Sequence, residues 1–180
     1  MTSATMQNER LQQVFGGNDM PKTSFVNVII FLAAIGSGIV GGIFYAFSSF
    51  VMPALARIPA AQGAAAMNSI SVTVINPSFM AAFLGTAFLC LIVGVGSLFF
   101  WNQPGARFAL AASVVYLVGC IGVTFAFNVP LNDKLAALAD TAEAAVFWPH
   151  YLAGWNPWNH VRSVAGVLSA ALFTVSLWQR

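Results

Sequence analysis

Four long stretches without a single charged side chain dominate this chain: residues 25–50, 78–101, 108–129 and 164–178. A helix rises about 1.5 Å per residue, so about 20 residues cross the roughly 30 Å hydrocarbon layer of a bilayer. The first three stretches suffice as they stand. The fourth is short, and becomes a full span only when extended back to Pro157, which brings His160 and Arg162 onto it. In hydrocarbon each backbone N–H and C=O needs an internal partner, so continuous apolar runs of this length are expected to be helices. The expected fold is all-α, an integral membrane four-helix transmembrane bundle. Its spans lie at about 25–50, 78–101, 108–129 and 157–178 of a membrane domain at 25–180, with short surface helices in loops one and three.

Composition removes the competing classes. Charged residues are 7% of the chain and mean hydropathy is +0.81, whereas soluble globular proteins carry about 25% charged residues. Intrinsic disorder requires low hydrophobicity. A net charge of +2 without a basic patch argues against a nucleic-acid partner. Residues 1–24 form a polar tail with Glu9, Arg10, Asp19 and Lys22, broken by Gly16-Gly17-Asn18-Asp19. The first apolar run begins too late and runs too long for a secretory signal. Cys90 and Cys120 sit inside apolar runs without metal or redox spacing, as small apolar filler.

Local signals set the boundaries. Asn76-Pro77 and Asn156-Pro157 each place a capping side chain before a proline at the first helical position. Asn102-Gln103-Pro104-Gly105 is a tight turn that makes spans two and three an antiparallel hairpin. Residues 60–75, small and uncharged, form a re-entrant or surface-lying helix. Residues 133–147, alanine-rich, form another, and 147–158 an aromatic loop at the membrane interface. Pro130 ends span three. Gly38 and Gly42 make a GxxxG on span one, serving either an internal helix contact or a homo-oligomer. An even number of spans puts both termini on one side. Arg10, Lys22, Arg107 and Arg180 on that side face Arg57, Lys134 and Arg162 on the other, which favours cytoplasmic termini in the plasma (inner) membrane.

The unusual polar residues collect on the opposite side. No span holds an acidic residue, which lowers the weight of a proton-coupled transporter. His150 and His160 have no metal-ligand spacing, so no metal is expected. In Trp155-Asn156-Pro157-Trp158-Asn159-His160-Val161-Arg162, helical spacing puts Trp155, Asn159 and Arg162 on one stripe that continues to Gly166. His160 lies about 100° away from Asn159. Arg162 close to hydrocarbon is either a snorkelling interfacial cation or the charged group of a cavity. His160 is either an interfacial hydrogen-bonding residue or a proton carrier. Asn128, at the end of span three, needs hydrogen-bond partners, and Asn132 caps the next helix or faces a ligand. Tyr45, in Phe44-Tyr45-Ala46-Phe47, is a packing residue or a ligand contact.

Taken in order, four segments resemble the anthrone-oxygenase-like family of small four-helix membrane proteins: Phe44-Tyr45-Ala46-Phe47 with Val51-Met52-Pro53, Asn76-Pro77-Ser78-Phe79, Val129-Pro130-Leu131-Asn132-Asp133, and the Trp155 to Arg162 cluster. The resemblance covers roughly residues 25–178. It implies a monooxygenase that oxidises a polycyclic or phenolic apolar substrate, with molecular oxygen as co-substrate and no cofactor. An anthrone methylene gives an electron-rich carbanion that itself reduces oxygen, so the protein need only deprotonate, hold and desolvate it. On that basis His160 is the base and Arg162 holds the oxyanion. Asn132, Asn128 and Asn159 orient the substrate, and Trp155, Trp158 and Tyr45 stack on it. The alternative class is a non-catalytic membrane protein that binds a lipid or quinone or assembles with a partner.

Overall fold

The computed structural model describes residues 22–139 and 141–180. The polar tail expected at 1–24 falls, up to residue 21, outside the described residues, as does Asp140. The described chain is all-helical: α1 (Lys22–Ala46), α2 (Met52–Leu55), α3 (Ala60–Thr73), α4 (Pro77–Phe99), α5 (Ala106–Tyr116), α6 (Val129–Ala137) and α7 (Ala142–Trp178). Four continuous helical stretches, Phe25–Leu55, Pro77–Phe99, Ala106–Ala137 and Ala142–Trp178, are long and apolar enough to cross a membrane. Each leaves a broad apolar face exposed, among them Phe31, Leu91, Val118 and Val167. Lipid is the solvent for such a surface.

Two boundaries follow the sequence signals closely. The Asn76 side chain accepts from Phe79 N–H at 3.0 Å, with Pro77 in the first turn. At the other end, Gly105 has φ +76°, and a Cβ there would run into the Ser176 carbonyl. A side chain is excluded both by the left-handed backbone and by the contact. This closes the hairpin between α4 and α5.

Three expected breaks are absent. Span one continues past residue 50 through a π-helical turn, Phe47–Val51, into α2. Span three continues past Pro130 through π-helical segments Leu117–Gly122 and Thr124–Asn128 into α6. Two of these π turns precede a proline, Pro53 and Pro130. Their wider hydrogen bonds run from Met52 N–H to Phe47 O and from Val129 N–H to Thr124 O. A proline ring clashes with the carbonyl four residues back, and a π bulge shifts that carbonyl away. The third difference is largest. Instead of a helix at 133–147, an aromatic loop at 147–158 and a span from 157, α7 runs unbroken with Pro149 and Pro157 inside it. Asn156 is therefore not a cap, and its Oδ1 is buried without a partner among the described residues. Packing holds this helix across its prolines: Trp148, Tyr151 and Trp155 are buried with Met52, Ala64, Met67 and Leu135 in one cluster.

α1 and α7 share the most extensive interface, and small residues make it possible. A Cβ on Gly166 would lie 2.5 Å from Gly41 Cα, and one on Gly41 would lie 2.8 Å from Val167 N. Ser37 and Ser169 hydroxyls meet at 3.2 Å one turn away, and Ser169 also donates to Ala112 O at 2.9 Å. The GxxxG pair plays a lesser part. A Cβ on Gly38 meets only Ala170 Cβ, and one on Gly42 meets nothing within 4 Å. Loop one forms the expected helix, α3. It lies over the end of the bundle, tied to α6 by Asn68 Nδ2 donating to Leu135 O at 3.3 Å.

Candidate functional site

A stripe along α7 builds the site. Trp148, Tyr151, Trp155, Asn159, Arg162, Gly166, Ser169, Phe173 and Ser176 are all buried and recur every three or four residues. That is one helical face. The stripe passes from aromatic through amide and guanidinium to small residues, so its polar part lies inside the bundle.

Arg162 is 5% exposed. One terminal nitrogen donates to Asn159 Oδ1 at 2.7 Å and the other to Thr124 Oγ1 at 3.2 Å. The Thr124 hydroxyl in turn donates a hydrogen bond to Cys120 O at 2.7 Å. The guanidinium carbon lies 4.2 Å from the Phe44 ring centre and 4.9 Å from that of Trp155. Two of five N–H donors are thus used among the described residues, and Nε is buried with no partner. Every contact named is neutral. Leaving a cation in such surroundings without a counter-charge is costly.

Asn159 fixes the arginine. It is fully buried, and its Nδ2 donates to Phe44 O and to Ser48 Oγ, both at 2.8 Å. Its amide thus joins α7 to the α1 end, where the π turn leaves Ser48 within reach, and presents the carbonyl to Arg162. Ser48 also meets Ser163 at 3.1 Å. Asn132 does similar work one level out: its Oδ1 accepts from Tyr151 OH at 2.8 Å and from Trp155 Nε1 at 2.9 Å. It is not a helix cap. It locks the Trp155 indole in place beside the guanidinium.

These groups border a cavity of about 260 Å³. Arg162, Trp155, Asn132, Thr124 and Ser71 supply its polar edge; Phe44, Phe47, Phe79, Phe83, Met67 and Ile70 are among its apolar walls. The walls are themselves ordered, with Phe79 stacked on Phe83 at 5.7 Å and Phe44 edge-on to Phe83 at 6.2 Å. A cavity of about 150 Å³ holds one benzene ring, so this volume exceeds what a single aromatic ring needs. α3 roofs it through Met67, Ile70 and Ser71.

Of the residues singled out in the sequence, Arg162, Trp155 and Asn132 line the cavity and Asn159 supports it from behind. Asn128 is buried outside the lining, donating to Trp155 O at 3.2 Å, and its Oδ1 has no partner among the described residues. Trp158 stacks on Phe127 at 3.6 Å and lies outside the lining. Tyr45 is 62% exposed on the outer face of α1. His160 is exposed and also outside the lining: its position one residue after Asn159 turns it out of the bundle. The sequence assigns no site role to Thr124 or to the wall phenylalanines, although Phe44, Phe47 and Phe79 lie in segments that carry the family resemblance. Thr124 is unremarkable in a span, and its role depends on the π turn that aims it at Arg162.

A family model described as anthrone oxygenase matches residues 78–172. The matched segment contains Thr124, Asn132, Trp155, Asn159 and Arg162 but not the α1 wall with Phe44. Comparison with curated proteins and with solved structures gives no match.

Proposed function

The chain belongs to the anthrone oxygenase family, and from that premise we propose that the cavity beside Arg162 binds a flat phenolic or anthrone-type molecule as its anion and presents it to molecular oxygen. The observation that carries this reading is the buried guanidinium, without a carboxylate partner among the described residues, between two aromatic rings at the edge of an apolar cavity. An extended phenolate or enolate supplies the missing negative charge, and its rings fill the apolar walls.

The chemistry balances without an external reductant. The ring methylene loses a proton, and the negative charge spreads to the ring oxygen near Arg162. The carbanion gives its electrons to oxygen and forms a C–O–O bond. Cleavage of O–O with loss of the second methylene proton leaves the ketone and one water, so methylene and O₂ become carbonyl and H₂O. Arg162 lowers the energy of the anion before and during oxygen attack. Asn159 and Thr124 hold the guanidinium in place, and Asn132 holds Trp155 against it. His160, outside the cavity, is assigned no role as base. Hydroxide or water takes the proton from a carbon acid already made more acidic by the arginine. The same arrangement serves in a bilayer with both termini cytoplasmic.

The polar lining groups Ser71, Thr124, Asn132 and Arg162 include no base at neutral pH, which favours one second reading: a protein that stores or passes on an apolar anion without turning it over. Oxygen uptake with emodin anthrone separates the two. Purified protein in lipid nanodiscs accelerates uptake over the spontaneous rate if it is an oxygenase, and Arg162→Met removes the acceleration. Tight binding of the product quinone with no acceleration supports the storage reading.

A further inference from the structure

The lining of the cavity is not equally enclosed. Leu84 on α4 is 47% exposed and Phe125, in the π-helical segment Thr124–Asn128, is 58% exposed, yet both line it. These residues put one edge of the lining at the bundle surface, and Ile75, 72% exposed after α3, puts another there. α4 packs on α5 and on the Leu117–Gly122 turn but makes no extensive contact with Thr124–Asn128, so spans two and three part at this level. Leu84 lies seven residues beyond Pro77, about 10 Å along the helix axis. That depth falls inside the hydrocarbon layer for a span that starts at the interface. A second recess lies between α3 and α6, lined by Asn68, Ser69, Thr73 and Asp133, and it shares Ser71, Ile75, Val129 and Asn132 with the first. The cavity thus adjoins the bundle surface at Leu84 and Phe125 and, through the shared residues, a recess that carries Asn68, Thr73 and Asp133.

Building on the ligand cavity proposed above, we infer that its ligands arrive sideways from the bilayer, through a slot between Leu84 and Phe125, while the recess at Asn132 and Asp133 exchanges water and protons. The slot has apolar edges, so it passes flat molecules dissolved in the hydrocarbon and rejects their sugar or sulfate conjugates. The charged end of the ligand is carried toward Arg162 and the recess, where water is available. The substrate class is therefore a membrane-partitioned polycycle, delivered without crossing bulk water.

The test uses full-length protein in nanodiscs with 2-hydroxyanthraquinone, followed by the ligand's own fluorescence after rapid mixing. Leu84→Trp narrows the slot, and Asp133→Trp narrows the recess alone. A barrier common to both directions changes association and release together, so Leu84→Trp is expected to slow each by about tenfold with Kd within about threefold of the parent. Leu84→Ala is expected to speed both, which keeps the test usable if the tryptophan variant folds poorly. Asp133→Trp is expected to leave both rates within about twofold. Slowing by Asp133→Trp with no response to either change at Leu84 overturns the lateral route and leaves the ligand cavity standing. Failure of the parent protein to bind the quinone overturns the cavity reading itself.

Discussion

Replacing Arg162 by Met separates the guanidinium's charge from its volume. Methionine is unbranched and flexible, and can occupy the space between the Phe44 and Trp155 rings. Two hydrogen bonds disappear, to Asn159 and Thr124. The Asn159 carbonyl is left buried without a donor, which costs about 1–3 kcal/mol. Against this, a buried cation that has no carboxylate partner among the described residues is removed, and apolar replacement of buried charges is often neutral or stabilising by about 1–4 kcal/mol. The fold is therefore expected to survive. Binding is not: a hydrogen bond between charged partners contributes about 1.5–3 kcal/mol, equivalent to roughly 10–150-fold in Kd. The assay compares 2-hydroxyanthraquinone, at a pH where it is ionised, with 2-methoxyanthraquinone, which has the same rings and no charge. The parent protein should prefer the anion by that ratio, and the Met variant should bind the two within about threefold. Arg162→Lys should keep part of the preference, because an ammonium cannot reach Asn159, Thr124 and a ligand at once. If the Met variant still discriminates as strongly as the parent, the arginine is not the anion's partner and the cavity does not work as proposed.

Other consequences are measurable on the same material. Asn132→Leu strands the Tyr151 hydroxyl and Trp155 indole N–H; a loss of about 2–6 kcal/mol is expected from two orphaned donors, read by denaturation in detergent, and a loss below about 0.5 kcal/mol would refute it. Gly166→Ala drives a methyl onto Gly41 Cα and should cost about 1–3 kcal/mol, whereas Gly42→Ala meets open space and should stay within about 0.5 kcal/mol. Equal effects in a melting comparison would argue that α1 and α7 do not cross at Gly41. His160→Ala removes an exposed side chain outside the cavity and should leave quinone affinity within about twofold; a tenfold loss would put the imidazole back at the site.

The stripe on α7 shows how far sequence spacing reaches. Trp155, Asn159, Arg162 and Gly166 follow helical periodicity, and in the structure they share the buried face as that periodicity requires. The same rule places His160 off the stripe, although chemistry had made it attractive as a base. The prolines were less informative. Pro77 starts a helix, whereas Pro130, Pro149 and Pro157 lie within helical structure. A π bulge accommodates Pro130, and packing of three aromatic residues carries α7 across the other two. Gly38 and Gly42 fit a familiar spacing, but Gly41 makes the close approach. A spacing motif does not say which face of a helix meets its neighbour.

The amino-acid order by itself determined the four spans, the hairpin at Gly105 and the cap at Asn76. Each rests on local physics: hydrocarbon tolerates no unpaired backbone, a left-handed turn favours glycine, and an amide before proline closes a first turn. Tertiary structure decided that Thr124 and Asn159 hold Arg162 between Phe44 and Trp155, and that α3 roofs the space beside it. Phe44, Thr124 and α3 belong to elements other than α7, which carries Trp155, Asn159 and Arg162 together. Their meeting depends on the crossing at Gly41 and Gly166 and on how far the π turns rotate each helix end, quantities set by packing across the whole bundle rather than by any local run of residues.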